Sequence, residues 1–218
     1  MLERYPASEE LSAVAVDAIG TALSEAVACR RTASLVATGG RSPGAIYDRL
    51  NLADVDWPRI TVTLSDDRCV SEDHPDSNAR LVRSRLLKGR AAAARFLPLW
   101  PAPETAALRP LMPFDVVMLG MGEDGHIASL IPGDPGLEDG LNTVELLRDV
   151  PAGLGSPPLA RITLTLTAIL NSRAIFLLIA GEPKREVISR ALAGEDLPVS
   201  RLIKRAGDRL RIFWTPGA

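Results

Sequence analysis

Histidine is scarce in this 218-residue chain: there are two, His74 and His126. A reaction that needs an imidazole base near neutral pH therefore has two candidates. Cysteine is as rare, at Cys29 and Cys69. Two thiols cannot build a tetrahedral sulfur site, and they argue against a disulfide-stapled secreted fold. A charge excess is missing too: 25 Lys and Arg stand against 27 Asp and Glu, a net charge of -2. Proteins that grip a phosphate backbone normally carry a basic excess or stripe, so nucleic acid is not an expected partner. No run approaches the roughly 20 apolar residues that span a bilayer. Glu3, Arg4, Glu9, Glu10 and Asp17 also break any apolar leader. No Ser/Gly linker, low-complexity tract or repeat divides the chain, and the Pro/Gly-rich stretch 151–158 reads as a long loop. These absences predict one domain over residues 1–218, cytoplasmic, monomeric and without a membrane partner.

Leu11, Ala15, Ala18 and Ala22, with Val16, Ile19, Leu23 and Val27, recur at helical spacing and predict a helix over 8–29. Short apolar or β-branched runs predict strands at 34–37, 60–64, 114–119, 161–165, 174–180 and 210–214, with 174–180 the clearest central strand. Helices are expected from Pro43, over 76–87 with Asp76 or Ser77 as cap, and over 183–193. A short helix is expected after the 114–119 strand and its glycine loop, and a helical turn ending near Asn171. Strands alternating with helices, several of them apolar throughout, indicate an α/β fold. It is read as Rossmann-like, with a mostly parallel sheet and helices on both faces.

Four polar loops fall where a strand hands over to the next element. Thr38-Gly39-Gly40-Arg41-Ser42-Pro43 offers exposed amides, a capping serine and a proline at the first helical position. Amides in front of a helix start suit a phosphate. Gly40 to Gly44 also spells G-x-S-x-G, the elbow of serine hydrolases. That fold draws an oxyanion-hole N–H from the residue after the serine, and Pro43 has none. Gly120 to Gly125 matches the dinucleotide pattern G-x-G-x-x-G, but Pro132, Gly133, Pro135 and Gly136 interrupt the helix such a site needs. The same loop holds Asp124 and His126 two residues apart, after a buried strand, where an α/β sheet collects its chemistry. Ser65-Asp66-Asp67-Arg68 follows another strand, with Asp76-Ser77-Asn78 downstream. Lys184, after Gly181, sits in a first helical turn, a poor place for an ammonium unless an anion lies before it. Lys184, Arg68 and the Gly39 loop are therefore expected to converge on one phosphate.

Together these runs resemble the 6-phosphogluconolactonases, of one superfamily with the glucosamine-6-phosphate deaminases. The resemblance rests on Gly39 to Pro43, on Asp66-Asp67-Arg68 with Asp76-Ser77-Asn78, on Leu119 to Pro132, on Arg161 to Thr163, and on Gly181 to Lys184. It departs at Asp67, where the family has Glu, at Ile131, where it has Phe, and at Thr215-Pro216, where an acidic residue is frequent. The resemblance implies hydrolysis of 6-phospho-D-glucono-1,5-lactone to 6-phosphogluconate in the oxidative pentose phosphate pathway, on a small sugar phosphate and with no cofactor. It implies His126 as general base and Asp124 as its orienting partner, with Asp66 a substrate-binding residue or the alternative carboxylate partner of His126. Arg68, Lys184 and the amides of Gly39, Gly40 and Ser42 would hold the phosphate, and Arg161 a phosphate or hydroxyl. The deaminases carry a Glu five residues after the histidine, where this chain has Ile131. A non-catalytic sugar-phosphate sensor would have no use for Asp124 and His126. No metal is expected, since no His or Cys pair completes a site around these two.

Overall fold

The computed structural model describes residues 2–40, 43–101 and 105–217. In chain order the elements are β1 (Leu2–Arg4), α1 (Ser8–Arg30), β2 (Ala33–Ala37), α2 (Pro43–Leu50), β3 (Ile60–Leu64), β4 (Asp66–Arg68), α3 (Asn78–Arg85) and β5 (Arg95–Phe96). They continue with α4 (Thr105–Leu108), β6 (Phe114–Leu119), α5 (Leu137–Asn142), β7 (Leu147–Val150), β8 (Arg161–Leu164), α6 (Leu166–Leu170), β9 (Ser172–Ala180), α7 (Glu182–Leu192), α8 (Pro198–Ala206) and β10 (Leu210–Thr215). Seven strands form one sheet in the order β1-β10-β9-β6-β2-β3-β5, and every pairing in it is parallel. The fold is the α/β, Rossmann-like arrangement that the alternation predicts. β2 and β6 are buried at every position, as strands covered on both faces must be.

Chain order explains where a ligand belongs. From β2 the chain builds outward through β3 and β5, then returns to place β6 on the other side of β2. The crevice beyond the carboxyl ends of β2 and β6 is thus the topological switch point, where open α/β sheets bind ligands.

By length and apolarity α1 could cross a bilayer, with a mean hydropathy of 1.4, against the expectation that no stretch would. Its stripe of Leu11, Ala15, Ile19, Leu23 and Ala26 is instead buried, in one cluster with Val36, Val117 and Phe213 of the sheet. The helix is a core element because its apolar residues share one face.

Three features differ from the sequence expectation. Residues 66–68 are not a loop but β4, in a separate antiparallel sheet of order β4-β8-β7. The strand beginning at Arg161 belongs to this small sheet and not to the parallel one. After β6 no helix forms before α5; residues 121–130 make turns and isolated bridges pairing Ile127 with Met121 and Leu130. α3 starts at Asn78, with the Ser77 hydroxyl accepting from the Arg80 N–H at 3.1 Å. Asp67 supplies a second cap: its carboxylate accepts the N–H groups of Arg68, Asn78 and Ala79 at 2.8, 2.7 and 3.1 Å. Burial pushes the Asp67 pKa up, only partly offset by those three donors.

At the amino-terminal edge of the sheet, Asp115 ties β6 to β2. Its carboxylate accepts the Ser34 N–H at 2.9 Å, while the Asp115 N–H donates to Ser34 Oγ at 3.0 Å. Arg30 and Arg173 close the cluster from α1 and β9. Asp115→Ala should orphan a buried amide and lower stability by about 2 kcal/mol. That is a melting-temperature drop of roughly 4–8 °C for a chain of this size. Calorimetry should show the drop, while amide exchange in the loops at the other edge of the sheet stays at the parent level.

Candidate active site

The loops at the carboxyl edge surround a cleft of about 270 Å³. Its lining includes Gly39 and Gly40 after β2, Asp66 and Arg68 of β4, His126 after β6, Arg161 of β8 and Lys184 of α7. Residues brought from these five segments of the chain thus meet in one place. Asp124 is not part of the lining but holds His126 from behind. Ser42 lies outside the described residues. His74 does not join the lining; its Nδ1 accepts the Asp76 N–H at 3.1 Å in the loop before α3.

The base loop is shaped by glycine. The Gly122 N–H donates to the His126 carbonyl at 3.0 Å and the Gly125 N–H to the Gly122 carbonyl at 3.1 Å. Gly125 has φ +82, a left-handed backbone that favours glycine. A Cβ on Gly122 would come within 2.2 Å of the His126 ring and 2.4 Å of Asp124 Oδ1, so only glycine leaves room for the pair. Asp124 Oδ1 lies 2.6 Å from His126 Nδ1. Burial alone would raise the Asp124 pKa, but the ring's hydrogen bond and charge outweigh it and hold the carboxyl below its ordinary value. An ionised carboxylate only accepts, so Nδ1 carries a proton, and in the neutral form of the ring Nε2 keeps its lone pair.

The cationic side of the cleft is set by strand register. Arg68 and Arg161 are direct partners across the β4–β8 ladder, and like charges placed so repel. Arg161 is 4% exposed. Burial lowers its pKa first, the Arg68 charge adds to this, and Asp66 opposes it. Asp66 Oδ2 stands 4.0 Å from the Arg161 guanidinium. It accepts from Ser129 Oγ at 2.6 Å, and Asp66 Oδ1 accepts from Ser65 Oγ at 2.9 Å. Arg68 donates to the Asp76 carbonyl at 2.6 Å and Arg161 to the Pro157 carbonyl at 2.8 Å. Each guanidinium keeps a buried Nε without a partner among the described residues. Two clustered guanidinium groups lining one cleft suit a multiply charged anion. The carboxylate question raised by the sequence has a geometric answer: Asp124 pairs with His126, and Asp66 with two serines.

Several participants were not visible beforehand. Thr38 lines the cleft, and its backbone is held by the Tyr47 phenol. Asn78 packs its amide against Gly39, where a Cβ would stand 2.1 Å from Asn78 Oδ1. Ser129 orients Asp66. The sequence marked Thr38, Asn78 and Ser129 only as members of longer runs, and Tyr47 carried no signal. Among the described residues no group of three His, Cys, Asp or Glu side chains is placed to hold a metal ion.

The family described as glucosamine-6-phosphate isomerases/6-phosphogluconolactonase matches residues 6–214. A 6-phosphogluconolactonase of Pseudomonas aeruginosa is 39% identical over 223 residues, covering 96% of this chain and 92% of that protein. One of Rhizobium meliloti is 38% identical over 222 residues, covering 94% of each. The crystal structure of a 6-phosphogluconolactonase from Shewanella baltica superimposes with a TM-score of 0.91 at 34% identity, covering 99% of this chain and 97% of that one. With the fold, the cleft and these likenesses in agreement, this chain belongs to the glucosamine-6-phosphate isomerase/6-phosphogluconolactonase family.

Proposed function

We propose that the chain hydrolyses 6-phospho-D-glucono-1,5-lactone to 6-phosphogluconate, as a step of the oxidative pentose phosphate pathway and without a cofactor. One observation carries the reading: a carboxylate-oriented imidazole shares a single cleft with Arg68, Arg161 and Lys184. His126 Nε2 takes a proton from water as the oxygen adds to the lactone carbonyl. The tetrahedral intermediate then collapses, the bond to the ring oxygen breaks, and the imidazolium returns its proton to that oxygen. General acid–base catalysis of this type is typically worth about 10²–10⁴-fold. Arg68, Lys184 and the Gly39–Gly40 amides hold the phosphate and so fix the carbonyl beside His126. Arg161 takes a remaining phosphate or hydroxyl oxygen, and Asp66 a sugar hydroxyl. We read the chain as one domain over residues 1–218 acting as a cytoplasmic monomer, with free thiols at Cys29 and Cys69 in keeping with a reducing compartment.

The deaminase alternative asks for a carboxylate five residues past the histidine. Ile131 occupies that position and is 3% exposed, within the core and without a titratable atom. The protein should release no ammonia from glucosamine 6-phosphate. Ammonia formed at a rate comparable with lactone hydrolysis overturns the lactonase assignment.

His126→Asn keeps a polar side chain but loses the titrating nitrogen, so kcat should fall by about 10²-fold or more. His74→Asn keeps an acceptor for the Asp76 amide and should stay within about threefold of the parent. Only neutral imidazole accepts a proton, so parental activity should decline on the acid side, and that limb should be missing from residual His126→Asn activity. A coupled assay on fresh lactone, followed by proton release, reads all three. Near-parental turnover by folded His126→Asn removes the base from the mechanism.

Arg68→Ala and Lys184→Ala should each reduce kcat/KM by about tenfold or more, since a charge-assisted hydrogen bond contributes roughly 1.5–3 kcal/mol. Inorganic phosphate and 6-phosphogluconate should compete with substrate and raise the parent's melting temperature through linkage. Unchanged kinetics in both variants would refute a shared anion site.

A further inference from the structure

Thr38 sits where the sheet runs out. The β2 ladder pairs as far as Ala37 with Leu64, and the Ala37 carbonyl takes its last bond from the Ser65 N–H at 2.7 Å. One residue later, Thr38 is 4% exposed, with no strand beside it to take its N–H and C=O. Tyr47, one turn into α2 and fully buried, satisfies both with a single atom. The Thr38 N–H donates to Tyr47 Oη at 2.8 Å, and Tyr47 Oη donates to the Thr38 carbonyl at 2.6 Å. The threonine so fixed reaches both halves of the cleft. Its Oγ1 accepts the Gly120 N–H at 3.3 Å, where the loop bearing Asp124 and His126 begins. It also lies 3.4 Å from Ser65 Oγ, the hydroxyl that bonds Asp66.

We propose that Tyr47 is a positioning residue for the reaction, acting through Thr38 to hold the Gly120–His126 loop in register with the substrate-binding side of the cleft. Tyr47 does not line the cleft and touches no reacting atom. Its effect passes along one chain of contacts, from the phenol to the Thr38 backbone and from Thr38 Oγ1 to the Gly120 amide. Burial holds the phenol pKa well above its ordinary value, so the hydroxyl proton that bonds the Thr38 carbonyl stays in place through the working pH range. The kinetic part of this inference rests on the lactonase reading above; the structural part does not.

The test combines a double-mutant cycle with amide exchange. Tyr47→Phe removes the hydroxyl, and Thr38→Val removes Oγ1 while keeping the branched shape. Each should lower kcat by about tenfold, within the range that ångström-scale misplacement produces. Because both cut one chain of contacts, Tyr47→Phe/Thr38→Val should lie within about threefold of the weaker single variant. Tyr5→Phe, which removes the chain's other tyrosine hydroxyl, should turn over like the parent. By NMR, the Gly120 amide should exchange faster in both single variants while the Val116–Met118 amides stay protected. In the unmodified protein the Thr38 amide should be as protected as its β2 neighbours, a reading available even if Tyr47→Phe fails to fold. Multiplicative losses near 10²-fold, a Tyr47→Phe kcat within twofold of the parent, or a rapidly exchanging Thr38 amide in the parent would each overturn the proposal. A parent protein inactive on the lactone would instead sink the function, and the exchange measurements would still judge the Tyr47 contact.

Discussion

Parallel strands all point the same way, so their carboxyl ends stop together and leave a row of backbone donors and acceptors at one edge. A buried N–H or C=O without a partner costs stability, and at this edge the ladder can no longer supply one. Side chains supply it instead. Tyr47 completes Thr38, Thr38 Oγ1 takes the Gly120 amide, and Asp67 accepts the N–H of Arg68 beside it and the Asn78 and Ala79 N–H groups at the start of α3. The loops around the cleft are therefore built into the end of the sheet, which suits residues that must be held to fractions of an ångström.

Electrostatics adds a second constraint at the same edge. The β4–β8 register puts Arg68 opposite Arg161, an arrangement a protein optimised for stability alone would avoid. Asp66 answers part of that charge from 4.0 Å, and carbonyls of Asp76 and Pro157 take one N–H each. Asp66 itself is tied to Ser65 and Ser129, so it cannot swing across to neutralise both arginines. What remains is a positive spot inside a chain whose net charge is -2. A sugar phosphate meets local attraction there without a generally basic surface that would gather other polyanions.

How much of this was legible beforehand depended on whether the signal was local. Periodicity revealed α1, and apolar runs revealed β3, β6 and β9, because a period or a β-branched run needs no knowledge of the partner. The Asp124–His126 pair was legible for the same reason: two residues apart in one loop, they can only be neighbours. Asp66–Arg68 read as a loop because three charged residues carry no strand pattern; the strand exists through its pairing with β8, nearly a hundred residues away. The role of Asp67 was hidden likewise, since its carboxylate is spent on α3 amides that sequence spacing does not reveal. β7 was missed for want of an apolar run. α8 does carry a local signal, with Pro198 at its start and Val199, Leu202 and Ala206 buried on one face.

α8 matters because it completes the base loop. The Val199 N–H donates to the Gly125 carbonyl at 3.1 Å, and a Cβ on Gly125 would meet Leu197 at 3.0 Å. The turn carrying Asp124 and His126 is thus gripped from two sides, by α8 at Gly125 and by Thr38 at Gly120. Neither contact uses the imidazole, whose Nδ1 is committed to Asp124 and whose Nε2 is free of both contacts. At the far edge the Asp115 cluster joins β2 and β6 through Ser34, Arg30 and Arg173, with no atom in the cleft. Cohesion of the two strands that flank the switch point is anchored at one end of the sheet, and the cleft residues are mounted at the other. That division lets the carboxyl edge tolerate a repelling arginine pair and a glycine-dependent loop, because the interactions holding the sheet together do not pass through them.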